Sequence, residues 1–223
     1  MHSSNGGPIS YGGMVEASHW HREAGFPLLR LHDCQWPEPA VVDIHTLFRD
    51  FRNDPQDPSN YYFSRTDDYL GAIVKSGAKI FYRLGESIEH SQRKYDVHPP
   101  KDYDKWAQIC LGIIRHYNEG WADGFHYNIE YWEIWNEPEI RPQMWSGTDA
   151  DYYRLYATTA QAIKRQFPHL KVGGPAAAHA GNFKNGQFEP TPFVAGLLKH
   201  CQEQSVPLDF FSWHRYAADP QDL

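Results

Sequence analysis

Short apolar runs that turn polar or glycine-rich at their carboxyl ends recur along the chain, separated by segments of helical period. The runs cover residues 26–33, 78–86, 131–137, 171–175 and 208–216, and they end near His32, Glu86, Glu137, Pro175 and Tyr216. Each is bulky or β-branched enough to predict a buried strand. Between them, residues 102–118 place Trp106, Ile109, Cys110, Ile113 and Tyr117 at three- and four-residue steps, one apolar stripe of a helix. Thr148 and Asp149 cap a helix that runs to Phe167 and is stopped by Pro168, and Thr191-Pro192 opens another through Cys201. Thr66 is the expected N-cap of a helix over 67–75 closed by Gly77, and shorter helices are predicted over 14–25 and 42–51. Residues 87–101 form a long loop. Residues 1–13 offer only a weak strand signal at Ile9, Ser10 and Tyr11. This β-α alternation predicts an α/β domain with a parallel sheet and right-handed crossovers. A doubly wound sheet is the competing architecture, but no Gly-x-Gly-x-x-Gly or Walker-type lysine loop is present.

The chemistry concentrates at the end of the third predicted run, where Trp132, Glu133, Ile134 and Trp135 lead into Asn136, Glu137 and Pro138. Pro138 cannot donate to a ladder, so the strand is expected to end there, with Asn136 and Glu137 at its carboxyl end. Parallel α/β folds place their chemistry at that end. Neighbouring side chains on a strand point to opposite faces, so both reach one pocket only if the backbone bends between them. A carboxyl held among Trp132 and Trp135 would have its charged form desolvated, which suits a general acid. An Asn-Glu-Pro turn that merely closes a strand is the bland alternative.

These residues resemble the acid/base segment at the end of the fourth strand in retaining glycoside hydrolases of the large (β/α)8 clan. The likeness is strongest to glycoside hydrolase family 39, the β-xylosidases and α-L-iduronidases. Leu29 to His32 resembles the family's second strand, Phe81 to Gly85 its third, and Asp209 to Arg215 its sixth. The resemblance implies a TIM (β/α)8 barrel over residues 1–223, read as one domain and incomplete. Strands seven and eight are expected to be missing and strand one is marginal. It implies that Glu137 is the acid/base and that Asn136 binds the sugar 2-hydroxyl. His32, Glu86, His214, Trp135 and Tyr216 are expected as further substrate contacts. The family's nucleophile is a Glu at the end of strand seven, and no residue here matches it.

Composition narrows the alternatives. The 223 residues suit one core but fall short of the roughly 250 usual for a complete barrel. The 8 Trp and 14 Tyr suit a sugar site, although any single ring is better explained by core packing. A net charge of -7 argues against a nucleic-acid backbone as partner. No apolar run reaches the roughly 18 residues of a membrane span. Three scattered cysteines and a start without a secretion signal lead to the expectation of a cytoplasmic protein with reduced thiols. His19 and His21, with His32 and Cys34 downstream, do not match a metal-ligand spacing, so no metal is expected, and glycoside cleavage of this kind needs no cofactor. The resemblance implies a glycoside or oligosaccharide as partner, and open sheet edges are expected to add self-association. The alternative is a non-catalytic carbohydrate-binding or scaffold protein built on a barrel fragment.

Overall fold

The computed structural model of the protein describes residues 3–5, 7–10, 15–32 and 40–215. In chain order these form β1 (Ser3–Asn5), β2 (Ile9–Ser10), β3 (Val15–Glu16), α1 (Ser18–Ala24), β4 (Leu28–Arg30), α2 (Ile44–Leu47) and α3 (Ser64–Lys75). There follow β5 (Lys79–Leu84), α4 (Tyr103–Glu119), β6 (Tyr131–Ile134), α5 (Asp149–Gln166), β7 (Lys171–Ala177), β8 (Gly181–Lys184), β9 (Gln187–Pro190), α6 (Pro192–Glu203) and β10 (Phe210–Trp213). Six strands make one curled sheet in the order β1-β4-β5-β6-β7-β10, and every pairing in it is parallel. The order follows the sequence without a switch point, as successive right-handed β-α units dictate. The doubly wound alternative is thereby set aside.

The pleat sorts the side chains onto two faces. Tyr82, Leu84, Trp132 and Ile134 turn outward and are buried; Tyr82 meets Tyr117 of α4, whose Trp106, Ile109, Ile113 and Tyr117 form the expected stripe. Tyr82 and Trp132 stack at 4.9 Å, and Trp132 Nε1 donates to the Ile129 carbonyl, which satisfies the one polar atom of a fully buried indole. The concave face carries the alternate residues. Phe81, Tyr131 and Phe210 form a ring cluster low in the curl, while Arg30, Glu133 and Ser212 lie above it.

Several boundaries differ from the sequence expectation. The first parallel strand is Ser3–Asn5; Ile9–Ser10 instead pairs antiparallel with Val15–Glu16, which also shortens the helix expected over 14–25. Thr66 is not an N-cap but lies buried inside α3, where its hydroxyl donates to the Val41 carbonyl at 2.5 Å. Strand β6 stops at Ile134, well before Pro138, because Trp135 adopts a left-handed φ of 72°. An antiparallel hairpin, β8–β9, closes on Asn185 and Gly186, both at positive φ, which is the Asn-Gly pair favoured in two-residue hairpin turns. The helix caps match expectation better: Thr148 and Asp151 form a capping box, and Thr191 caps α6.

Two glycines permit close approaches beside the site. A Cβ on Gly85, whose φ is 143°, would lie 3.0 Å from the Trp135 Cα and ring. On β7, Gly173 pairs with Phe210, and a Cβ there would collide with the Phe210 carbonyl oxygen and ring. The Gly173→Ala variant should therefore lose more stability than Thr148→Ala in urea denaturation. Cap removal costs about 1 kcal/mol, whereas overpacking against backbone costs roughly 1–3 kcal/mol. Equal losses would show that β10 moves aside freely.

Candidate active site

At the carboxyl ends of β6, β7 and β10 the backbone is bent rather than extended. Trp135 and Glu137 both take positive φ, 72° and 47°, on either side of Asn136. This is the bend that two adjacent side chains need in order to share one side of the sheet. The Glu137 amide donates to the Pro175 and Ala176 carbonyls, both at 3.2 Å, which anchors the bend to β7. Left-handed φ costs a non-glycine residue of the order of 1–3 kcal/mol, and these hydrogen bonds help hold it.

An ion pair on the concave face orders the groups below Glu137. The Arg30 Nε donates to Glu133 Oε2 at 2.8 Å, and its Nη2 donates to Asn136 Oδ1 at 2.7 Å. The Ser212 hydroxyl donates to the other Glu133 oxygen at 2.7 Å and accepts from the Ala176 amide at 2.9 Å. Glu133 is fully buried, so removing Arg30 would strand a charge at a cost of about 3–5 kcal/mol. With its oxygen held by Arg30, Asn136 keeps its Nδ2 buried and without a hydrogen-bond partner. Above it, His214 Nδ1 lies 2.5 Å from Glu137 Oε1, and the His214 amide is fixed by the Ala177 carbonyl.

The expected site residues are thus brought together only in part. Asn136, Glu137 and His214 converge, and His32 is buried at the end of β4, two residues beyond Arg30. Trp135 does not face them. It is 1% exposed, donates Nε1 to the Met144 carbonyl at 2.7 Å and packs against Trp106 and Trp145, because its left-handed backbone turns it towards the helices. With Trp132 also on the outer face, neither of the two rings expected around Glu137 surrounds it, and its carboxyl instead meets the His214 imidazole. Tyr216 and Cys34 lie outside the described residues. Glu86 is 1% exposed and held by His45 Nδ1 at 2.6 Å, beneath the surface rather than open to it. Arg83 pairs with Asp43 at 2.6 Å and reaches Ser87.

Arg30, Ser212 and Glu139 were missed as site residues. Arg30 was legible as a charged position between Leu29 and Leu31 on an alternating strand. Ser212 holds the same alternating place between Phe211 and Trp213. Glu139 sits past Pro138, its Oε1 accepting from the His179 amide at 3.2 Å and its Oε2 buried without a partner. Burial raises its carboxyl above the usual range, and the nearby Glu137 charge acts in the same direction. A separate cleft of about 470 Å³ lies between the loops after β4 and β5, lined by His45, Arg52, Tyr95, Lys105 and Trp106 among others, and does not include Glu137. Among the described residues, no cluster could hold a metal ion and no helix is long and apolar enough to cross a membrane.

Comparison with known proteins decides the family. The profile of Glycosyl hydrolases family 39 matches residues 18–222. The chain belongs to that family. A β-xylosidase of Geobacillus stearothermophilus is 34% identical over 207 residues, and one of Caldicellulosiruptor saccharolyticus is 28% identical over the same length. The matches take in 87% and 88% of this chain, but it spans only 37% and 38% of those relatives. Among solved structures, a glucosidase from Croceicoccus marinus superimposes with a TM-score of 0.81 at 34% identity, over 96% of this chain and 42% of that one. A monomeric β-xylosidase from Caulobacter crescentus gives 0.67 at 22% identity, over 97% and 42%, a likeness of fold. The curled run of parallel β-α units is an α/β half-barrel, and the solved structures it matches extend well beyond it.

The His45–Glu86 pair gives a pH dependence that can be measured. Burial alone would lower the His45 imidazole, but the Glu86 carboxylate outweighs it and lifts the group to about 9. Burial pushes Glu86 up to about 7 against the pull of His45. Both groups bind protons more tightly folded than unfolded, so the stability they contribute is greatest at low pH. For His45 it is fully present below its ordinary value of 6.5 and is lost as pH rises through about 9. The melting temperature of the native chain should fall relative to the His45→Gln/Glu86→Gln double variant, which carries neither titrating group, between pH 6.5 and 9. A difference that stays flat across that window would refute the pairing.

Proposed function

We propose that this chain is the acid/base-bearing part of a retaining glycoside hydrolase barrel, acting on β-xylosides or closely related glycosides. The observation that carries the reading is the backbone reversal at Trp135 and Glu137. It sets Asn136 and Glu137 on the concave face beside His214. The described residues supply six of the eight strands that such a barrel requires.

In this reading Glu137 protonates the glycosidic oxygen as a second carboxylate attacks the anomeric carbon from about 5–5.5 Å away, and later deprotonates the water that releases the sugar. That second carboxylate comes from a seventh strand. His214 orients the Glu137 carboxyl through the contact to Oε1. Arg30 fixes Asn136 so that its unpartnered Nδ2 can donate to a sugar hydroxyl, a bond that strengthens as the transition state develops. The β-xylosidases among the relatives favour a xyloside; the glucosidase neighbour keeps β-glucosides in the same test panel.

One observation favours a second reading, a carbohydrate-binding module without turnover. The two carboxyls nearest Glu137 in sequence are already engaged, Glu133 by Arg30 and Ser212 on both oxygens and Glu139 by the His179 amide on Oε1. Kinetics on the protein with all eight barrel strands separate the two. Glu137→Gln should lower disaccharide hydrolysis by roughly 10²–10⁴-fold. A dinitrophenyl glycoside, whose leaving group needs no proton, should still undergo the first step, with azide rescuing the second. Equal losses on both substrates without azide rescue would remove Glu137 from the acid/base role, and no turnover of any glycoside would favour the binding module.

Asn136→Ala and His214→Ala should depress kcat more than they raise KM, because both contacts act on the reacting centre. Unchanged kcat with a raised KM would reduce them to ground-state binding.

A further inference from the structure

The turn that carries Glu137 is tied to the end of β7 at two points, and the second uses a carboxyl that the acid/base chemistry leaves idle. The Ile140 amide donates to the Glu137 carbonyl at 2.9 Å, so residues 137–140 close a tight turn with Pro138 and Glu139 at its centre. At the first point the Glu137 amide meets the Pro175 and Ala176 carbonyls. At the second, Glu139 reaches further along the same segment, and its Oε1 accepts from the His179 amide at 3.2 Å. Burial raises the Glu139 carboxyl, while its own amide and those of His179 and Ala178 draw it back. Its Oε2 is buried and has no hydrogen-bond partner among the described residues. An oxygen left in that way costs free energy, so stability alone gives little reason to place a carboxyl there.

The segment that Glu139 holds is the one that seats His214. Beyond Pro175 the pairing of β7 with β10 slips by one residue: Ser212 faces Pro175 and Trp213 faces Ala177, with Ala176 bulged between them at a φ of 52°. A bulge interrupts the ladder and bends its strand, which makes it the compliant point of the pair. Immediately after it, the Ala177 carbonyl accepts from the His214 amide at 2.7 Å, and the His214 ring returns to Glu137 Oε1. The contacts close a circuit. It runs from the Glu137 carboxyl along its own turn to Glu139, across to His179, back two residues to Ala177, and through His214 to the carboxyl again. Thr191 holds the far end of the segment through the Ala180 carbonyl, and Glu139 holds it on the Glu137 side.

We propose that Glu139 is a positioning residue for the acid/base group: it sets the spacing between the Glu137 turn and the segment that carries His214, and so fixes where the Glu137 carboxyl points. The inference rests on the acid/base reading of Glu137. What the role demands of the side chain is reach and an acceptor oxygen, because its partner is a backbone amide. Gln supplies both without a charge, whereas Asp keeps the charge and is one methylene too short.

The test measures kcat/KM on a disaccharide and on the dinitrophenyl glycoside of the same sugar, using the protein with all eight barrel strands. Glu139→Ala and Glu139→Asp should each lose roughly ten- to a hundredfold on the disaccharide, the size of a misplaced catalytic group. On the dinitrophenyl glycoside, whose first step needs no proton, both should lose less than about threefold. Glu139→Gln should stay within about threefold of the native protein on both substrates. Equal losses on the two substrates would mark a purely structural role and overturn the proposal. So would a Glu139→Gln variant as impaired as Glu139→Ala, or a Glu139→Asp variant at the native rate, since charge rather than reach would then matter. If Glu139→Ala does not fold, the Gln and Asp variants carry the same comparison between them. Glu137→Gln is run in parallel: if it loses the disaccharide and spares the first step on the dinitrophenyl glycoside, the acid/base reading stands whichever way Glu139 falls.

Discussion

The Arg30–Glu133 ion pair is the constraint on which the concave face depends. Its two residues lie on β4 and β6, and Ser212 brings β10 into the same network, so alternate strands are tied across the curl at one level. Glu133 has no access to water, and these partners satisfy both of its oxygens. The same guanidinium holds the Asn136 oxygen, which makes the orientation of a candidate sugar ligand a by-product of a structural pair. Below that level the lining is aromatic and above it polar, so the change from packing to chemistry occurs within a few residues along each strand.

Strain is placed next to this rigid layer. Trp135, Glu137 and Ala176 all have left-handed backbones, and Gly85 and Gly174 supply the room that their neighbours require. A Cβ on Gly174 would lie 2.9 Å from the Ile134 carbonyl oxygen, and one on Gly85 would press on Trp135. The bent segment is thus packed from both sides by strands that cannot carry side chains at those points. Trp135 gives up contact with the concave face and becomes the wedge between β6 and the helices.

Much of this was legible in the sequence, and the reasons for the rest are specific. Long elements with a strong period, such as α4 and α5, could be read because one face must be apolar and their caps are chemically distinct. The place of Asn136 and Glu137 at the carboxyl end of a strand could be read because a bulky run gives way there to a polar pair and a proline. Ser3–Asn5 could not: a three-residue polar edge strand takes its identity from β4, not from its own side chains. Trp135 misled because alternation was extended through a residue whose φ reverses it. Arg83 and Glu86 lie three residues apart around the end of β5 yet bind Asp43 and His45, partners at the start of α2 that only the tertiary fold supplies. The β8–β9 hairpin had a signal, Asn185-Gly186 between two phenylalanines, that was passed over for the glycines preceding it.

The closed base of that hairpin has a consequence of its own. Because Thr191 bonds back to Ala180, the chain leaves the scaffold and returns to it at a single point. Whatever lies beyond that point can lengthen, shorten or change composition at a cost that grows only slowly with loop length. The bent segment at Glu137 is secured separately by β7, so such changes need not reach it. The hairpin is therefore a cassette: a place where the chain can change in length and composition while the bent segment keeps its shape.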